Sequence, residues 1–312
     1  MKVLVTLDQT RYSEGAIRFL RHVTLPVGSE LFLLHVIPLP QKITGLAKER
    51  ILKISQQIQE VQKDEREQAC RFLSKVEKTL SRQDVQVYTL VKKGFPGEEI
   101  LKTIQTKDVD LVLLGTRGYS KAAGMLLGSV SQWVLYEAPC SVLIARTRPR
   151  KKNNGQGMNI LLAADGSPDA RAAVDFVKTV KFPRASHITI LHVVKKHVYE
   201  TGQALTGDSK DENKLAKLAE ELLEIRGREG AKLLEQTRKA VASLDLTITE
   251  RLVYGNPADE ILKTSRYIRA DLIVMGSRGT TGVKRMFMGS VSNKVAHSAG
   301  CPVAIIRNKS KR

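Results

Sequence analysis

Short, uninterrupted apolar runs alternate with amphipathic stretches along the whole chain, and the alternation occurs twice in the same order. The first half carries "VLVTL", "LFLLHVI", "VQVYTLV", "DLVLL" and "SVLIA". The second carries "NILLAA", "ITILHVV", "LTITERLV", "DLIVM" and "VAIIR". A strand that is apolar on both sides must be covered on both faces, which is the situation of a parallel sheet between two layers of helices. "VQVYTLV" alternates instead, so one of its faces is expected to be less buried. The intervening stretches have helical spacing: Ala16, Ile17, Leu20 and Val23, then Ile51, Ile54, Ile58 and Val61, resumed by Phe72, Val76 and Leu80. Pro96 opens "PGEEILKTI", in the first turn where a helix accepts proline. "SVSQWVLYE" is helical too, and its Trp133 is expected to pack between that helix and the sheet. The second half repeats the series with a helix from Ser167-Pro168, a long one through Leu215, Leu218, Leu222 and Leu223, and "PADEILKTS".

The two halves align residue by residue. Asp8 and Asp165 lie 157 positions apart, as do His35-Val36 and His192-Val193. "GFPGEEIL" and "GNPADEIL" lie 161 apart, as do Gly115 and Gly276. Repeat two is therefore longer between its second strand and its proline-containing segment. This is duplication of a domain, with the first copy at 1–147, a basic linker at 148–157 and the second copy at 158–308. The 312 residues leave room for two domains of about 100–200 residues each. The expected fold is α/β: two tandem Rossmann-like domains of flavodoxin-like strand order, each a five-stranded parallel sheet with helices on both faces. The ligand crevice is then expected at the carboxyl ends of strands one and four, where Asp8 meets Gly115 and Asp165 meets Gly276.

"GTRGYSKAAGMLLGS" and "GSRGTTGVKRMFMGS" share one spacing, Gly-x2-Gly-x9-Gly-Ser, each after a strand and before a helix. The positions are Gly115, Gly118, Gly128 and Ser129, and Gly276, Gly279, Gly289 and Ser290. Glycine lets a phosphate approach the backbone, and a helix start offers it free N–H groups and the positive end of a dipole. Ser129 and Ser290 suit the N-cap position and can also donate to a phosphate oxygen. Arg117, Lys121, Arg278, Lys284 and Arg285 lie in the loops and face either phosphate or solvent. Neither the Walker GxxxxGK[ST] nor the Rossmann GxGxxG occurs, so any phosphate cradle uses another loop. For a single copy, a ligand-free turn would explain the glycines as well. Two copies, each with an acidic residue at a strand end, favour a nucleotide. Asp8 and Asp165 are candidates for a ribose hydroxyl or Mg2+, or else turn aspartates. His35 and His192, inside apolar strands, read as satisfied core histidines.

Composition excludes several classes. Apolar residues at 42% and charged residues at 27% are those of a globular chain. The start, "MKVLVTLDQT", is too briefly apolar for a signal peptide, and no stretch approaches the roughly 18–20 apolar residues of a membrane span. A cytoplasmic protein without membrane association is expected. Three cysteines make no disulfide framework. Cys140 and Cys301 read as small buried residues leading into strands, and Cys70 stands alone in a helical pattern. The net charge of +19 is concentrated in "RTRPRKKNNGQG" and "RNKSKR" and permits polyanion binding. Aromatic residues at 5% are too few for a base-stacking surface, so specific nucleic-acid binding is not expected.

These residues resemble the universal stress protein family in its tandem two-domain form, over nearly the whole chain. The glycine loops carry the resemblance most specifically, with "GSVSQWVLYEAPCSVLIA", "GSVSNKVAHSAGCPVAII" and the strand-end "AADGS". The resemblance implies binding of ATP or another adenine nucleotide, with Mg2+ left open. It places Asp8 and Asp165 beside the nucleoside. It has Val36 and Val193 offer backbone contacts to adenine. Val130 and Val291, after the loop serines, complete the binding set. Members of the family often pair through the last strand, which the two halves can do within one chain; a homodimer also stays open. The implied role is a regulatory or sensor protein in a stress response, with a slow ATPase or phosphotransferase as the alternative. With no Walker lysine and no evident base or arginine finger, efficient catalysis is not expected and no catalytic residue is assigned. The first half departs from the pattern: "LDQTRYS" stands where repeat two has "ADGSPDA", with Gln9 for glycine and Arg11 for proline. The second site is therefore the stronger candidate. The polar stretch "KKHVYETGQALTGDSKDEN" is long enough to cover a ligand or to be mobile.

Overall fold

Each apolar run forms a strand. The computed structural model describes residues 1–10, 13–39, 48–82, 84–116, 127–146, 157–195, 209–279 and 288–308. The chain divides into two compact units, Met1–Pro149 and Arg150–Arg312. Apart from Gly157, the proposed basic linker lies outside the described residues. Unit 1 contains β1 (Lys2–Thr6), α1 (Ser13–His22), β2 (Ser29–Pro38), α2 (Lys48–Leu80), β3 (Val85–Gly94), α3 (Pro96–Lys107), β4 (Leu111–Gly115), α4 (Ser129–Glu137) and β5 (Ser141–Ala145). Unit 2 contains β6 (Asn159–Ala163), α5 (Pro168–Thr179), β7 (His187–Lys195), α6 (Ser209–Val241), β8 (Thr247–Gly255), α7 (Pro257–Tyr267), β9 (Leu272–Gly276), α8 (Ser290–Ser298) and β10 (Val303–Ile306). Among the described residues no helix is long and apolar enough to cross a membrane.

Both sheets are wholly parallel, in the order β3-β2-β1-β4-β5 in unit 1 and β8-β7-β6-β9-β10 in unit 2. The Rossmann-like architecture is as expected, but the flavodoxin-like order is not found. That order would set the third strand between the first and fourth. The reason lies in β3 itself: from Val85 to Lys93 none of its residues is buried. A central strand must be apolar on both faces, as Val3, Leu4 and Val5 of β1 are, so an alternating strand belongs at the edge. The reversal of strand order still falls between β1 and β4, and between β6 and β9.

Helices cover both faces. In unit 1, α1 lies on β4 and β5, and α2 on β2 and β3; α3 lies on β1, β2 and β3 and packs against α4. Trp133 does not sit between α4 and the sheet. It is 42% exposed and lies on α3, where a Cβ added to Gly97 would stand 2.2 Å from its ring. In unit 2 the same helix pair is joined by Lys294 Nζ at 2.7 Å from Asp259 Oδ1.

β2 and β7 end 157 positions apart, at Pro38 and Lys195, while α2 and α6 begin 161 apart, at Lys48 and Ser209. The extra residues of repeat two thus belong to the connection between the second strand and the long helix. At 33 residues α6 is about 50 Å long, whereas the nine residues of β7 span roughly 30 Å. The helix outruns its sheet. Among the side chains described, its buried stripe is Gly227, Gly230, Leu234, Thr237 and Val241; Leu218 and Leu222 are exposed although the apolar pattern marks them, and the side chain of Leu215 lies outside the described residues.

Two packing details lead to measurements. Arg82 caps the end of α1: its guanidinium donates to the carbonyl oxygens of Val23, Leu20 and Arg21 at 2.9, 3.2 and 3.1 Å. These are terminal carbonyls that the helix cannot satisfy itself. Arg82→Ala should destabilise unit 1 by about 1–2 kcal/mol. Trp133 is the chain's single tryptophan and lies in unit 1, so its fluorescence in a denaturant titration reads this directly. In unit 2, α5 begins hard against the end of β9: a Cβ on Gly276 would lie 2.8 Å from Ala170 N and from Asp169 C. Gly276→Ala should cost unit 2 about 1–3 kcal/mol by overpacking, seen as a lower midpoint by circular dichroism with the Trp133 transition unmoved.

Candidate functional site

The chain leaves β1 and β6 one residue after the strand ends. Leu7 N–H still donates to Leu34 O, and Ala164 N–H to Leu191 O, each at 2.9 Å. Asp8 and Asp165 come next, at the point where the ladder is released. His35 Nδ1–H donates to Leu7 O and His192 Nδ1–H to Ala164 O, both at 2.7 Å. A carbonyl partner requires the proton on Nδ1. Both histidines are therefore satisfied structural groups that hold the carbonyl just before the aspartate. Val36 and Val193 are half-buried one residue further along β2 and β7, at the same end of each sheet.

In unit 2 the turn after β6 and the loop after β9 are stitched together. Asp165 is exposed, and its Oδ1 accepts from Ser167 N–H at 3.0 Å. Gly166 between them has φ +76°, a conformation glycine adopts at little cost. Ser167 is the N-cap of α5: its Oγ accepts from Ala170 N–H at 3.1 Å and donates to Arg278 O at 3.0 Å. Gly279 stands against Asp165, so that an added Cβ would lie 2.8 Å from Asp165 Oδ2. Gly276 is the last residue of β9, and its missing side chain leaves room for the start of α5. Arg278 is part-exposed, and its Nε lies 3.5 Å from the buried carboxylate of Asp169.

The second end of each glycine loop opens a helix. Gly289 is the N-cap of α8, with φ −78° and ψ 155° and no side-chain cap, and Gly128 is the N-cap of α4 in the same way. Ser129 and Ser290 are thus not the caps; they are the first helical residues, and both are exposed. Gly289 N–H donates to Ser277 O at 2.8 Å and Gly128 N–H to Thr116 O at 2.7 Å. The amides of Ser290, Val291 and Ser292 are the first-turn donors that an α-helix leaves without an acceptor of its own. Because the cap is glycine, it has no side chain of its own to close over them. Ser129 and Val130 begin α4 correspondingly.

Three residues here escape a reading of motifs. Ser131 donates to Gly115 O at 2.6 Å, and Ser292 to Ser277 O at 2.7 Å. The second serine of "SVS" in both copies was the available signal. Asp169 offers no such signal, because an acidic residue in a first turn is ordinary.

Unit 1 uses the same positions differently. Asp8 is half-buried, and its Oδ1 accepts from Thr10 N–H at 3.1 Å, from the Thr10 hydroxyl at 2.7 Å and from the Ser13 hydroxyl. Gln9 holds φ +60° where repeat two has Gly166. Gly115 ends β4, while Gly118, Arg117 and Lys121 lie outside the described residues, as do Lys284 and Arg285 of unit 2. Among the described residues no three His, Cys, Asp or Glu side chains gather as a metal would require.

The sequence pattern of the universal stress protein family matches residues 1–146 and again 158–307. Universal stress protein YxiE of Bacillus subtilis is 35% identical over 152 residues, which is 47% of this chain and 97% of that protein. A universal stress protein of Mycolicibacterium smegmatis is 25% identical over 307 residues, 98% of this chain and 96% of its own. The crystal structure of a universal stress protein from Archaeoglobus fulgidus shares the fold, with a TM-score of 0.59 at 23% identity, covering 100% of this chain and 97% of that one. Two successive matches that leave little of the sequence uncovered, in a chain whose two units repeat one strand order, make this protein a member of the universal stress protein family.

Proposed function

We propose that the chain binds ATP, or another adenine nucleotide, at the C-terminal end of the unit 2 sheet, and that it acts in the cytoplasm as a nucleotide-dependent regulatory protein of a stress response. The observation that carries this reading is the open first turn of α8, capped by Gly289 and set beside Gly279 and Asp165. An anion is the natural acceptor for such amides, and the helix dipole adds about 0.3–1 kcal/mol for each favourable charge.

The residues present fit the group. The amides of Ser290 and Val291 and the Ser290 hydroxyl would hold phosphate. Gly279 would leave room for it, since a side chain there would meet Asp165. Asp165 would accept from ribose hydroxyls, and the backbone of Val193 would meet the adenine edge. ATP supplies the negative charge that these donors lack and a phosphoryl group that can be released. The slow ATPase or phosphotransferase alternative draws on the same cradle. Regulation requires only that the nucleotide bind one arrangement of the protein better than another. Pairing of the two domains, and a homodimer, belong to the same proposal as the means by which a bound state is read.

Native mass spectrometry of freshly purified protein should show about one adenine nucleotide per chain, and isothermal titration should locate it in unit 2. Gly289→Val should weaken ATP binding at least tenfold, about 1.4 kcal/mol, by crowding the amides. Gly128→Val should leave the tighter site unchanged. A chain that stays empty in millimolar ATP with Mg2+ would overturn the proposal. Phosphate release that is lost with Gly289→Val would move the assignment to the hydrolytic reading.

A further inference from the structure

We infer that Asp169 is a positioning residue that sets the glycine loop of unit 2 before any ligand arrives, and that its absence from unit 1 makes the two sites unequal. Asp169 is 4% exposed, in the first turn of α5. One carboxylate oxygen, Oδ2, accepts from Ser277 Oγ at 2.5 Å and lies 3.5 Å from Arg278 Nε. The other, Oδ1, accepts from Asn308 N–H at 3.2 Å. One side chain therefore ties together the start of α5, the end of β9 and the segment that follows β10.

A buried carboxylate is costly, and exchange for a well-packed apolar residue is often neutral for stability. What it offers here is two acceptor oxygens in a fixed relation, which hold two chain segments in register. The effect reaches the ligand-facing amides through Ser277, which is fully buried. Its hydroxyl is held by Asp169. Its carbonyl accepts from Gly289 N–H at 2.8 Å and from Ser292 Oγ at 2.7 Å. These are the cap and the third residue of α8. The next residue, Arg278, is held at its side chain by Asp169 and at its carbonyl by Ser167. Gly279 then stands against Asp165.

In unit 1 the position equivalent to Asp169, 157 residues earlier, is Tyr12. A phenol has one oxygen and cannot hold two donors in this way. The backbone bond from Gly128 N–H to Thr116 O is kept there, but the side-chain tie is shifted: Ser131 donates to Gly115 O, one residue before the carbonyl that its counterpart Ser292 uses in unit 2. Asp169 touches no ligand atom in this scheme; it acts through Ser277.

For nucleotide affinity the inference rests on the binding reading above, so its first test needs no ligand. Hydrogen exchange of the full chain, read by mass spectrometry, should show amides of Ser277–Gly279 and Ser290–Ser292 exchanging about tenfold faster in Asp169→Asn, with unit 1 peptides unchanged. Ser277→Ala removes only a hydroxyl and should do the same. ATP affinity at unit 2 should fall about tenfold in each variant and no further in the double variant, because both break one chain of contacts. Asp169→Glu, which restores both acceptor oxygens, should recover part of the affinity. Unchanged exchange in both variants, or losses of affinity that add, would overturn the inference. If the parent chain binds no ATP, the binding reading fails, and the exchange comparison alone decides whether Asp169 positions the loop.

Discussion

Strands β6 and β9 lie side by side in parallel, yet the chain leaves them towards opposite edges of the sheet. From β6 it crosses to β7, and from β9 it crosses to β10. Two connections that diverge leave a gap between them, and this is where open sheets of this kind form their ligand crevice. The rest of the unit 2 site follows from that placement. Asp165 is the first residue clear of the β6–β7 ladder, and Gly279 is brought against it from the far side. Backbone amides at the start of α8 lie at the same end of the sheet.

A crevice of this kind needs its walls held without help from a ligand. The structure does so with short side chains whose oxygens reach backbone groups. His192 fixes the carbonyl before Asp165, Ser167 joins the two walls, and Ser292 ties α8 back to the end of β9. Each such bond is worth only about 0.5–1.5 kcal/mol, but leaving a buried donor or acceptor unpaired costs more. The buried serines are thus constrained both ways: they hold the loop, and the loop must stay where they can reach it. Glycine at 276 and 289 belongs to the same economy of space. At 276 it admits the start of α5, and at 289 it keeps the helix start open.

The strands, their parallel arrangement and the duplication were legible because they are periodic, and period is what a sequence displays. The strand order was legible only in part. Gln86, Thr89 and Lys93 in the third strand already argued for an edge, since a central position would have buried them. Local dihedral angles were not legible: glycine and serine are both common caps, and only the extended backbone of Gly289 decides that it is the cap and Ser290 the first helical residue. Trp133 marks an apolar surface on its helix, but the pattern cannot say that the partner is Gly97 rather than the sheet. Asp169 was hidden for a different reason. Its partners come from 108 and 139 residues away, so nothing near it in the chain sets it apart from any acid at a helix start.

The two units show what duplication preserves and what it releases. The turn after the first strand keeps its left-handed residue in both, although Gln9 in that conformation carries roughly 1–2 kcal/mol of strain that Gly166 avoids. The shape of the turn is therefore held for the sake of the fold. The chemistry around it is not. Asp8 has an oxygen saturated by Thr10 and Ser13, whereas Asp165 is exposed and takes a backbone N–H. A ribose hydroxyl approaching that oxygen of Asp8 must displace a bond worth about 1 kcal/mol before it gains one of its own. At Asp165 a second oxygen already faces the loop. On the proposed nucleotide reading, a difference of one or two such bonds would amount to about tenfold in affinity between the two units.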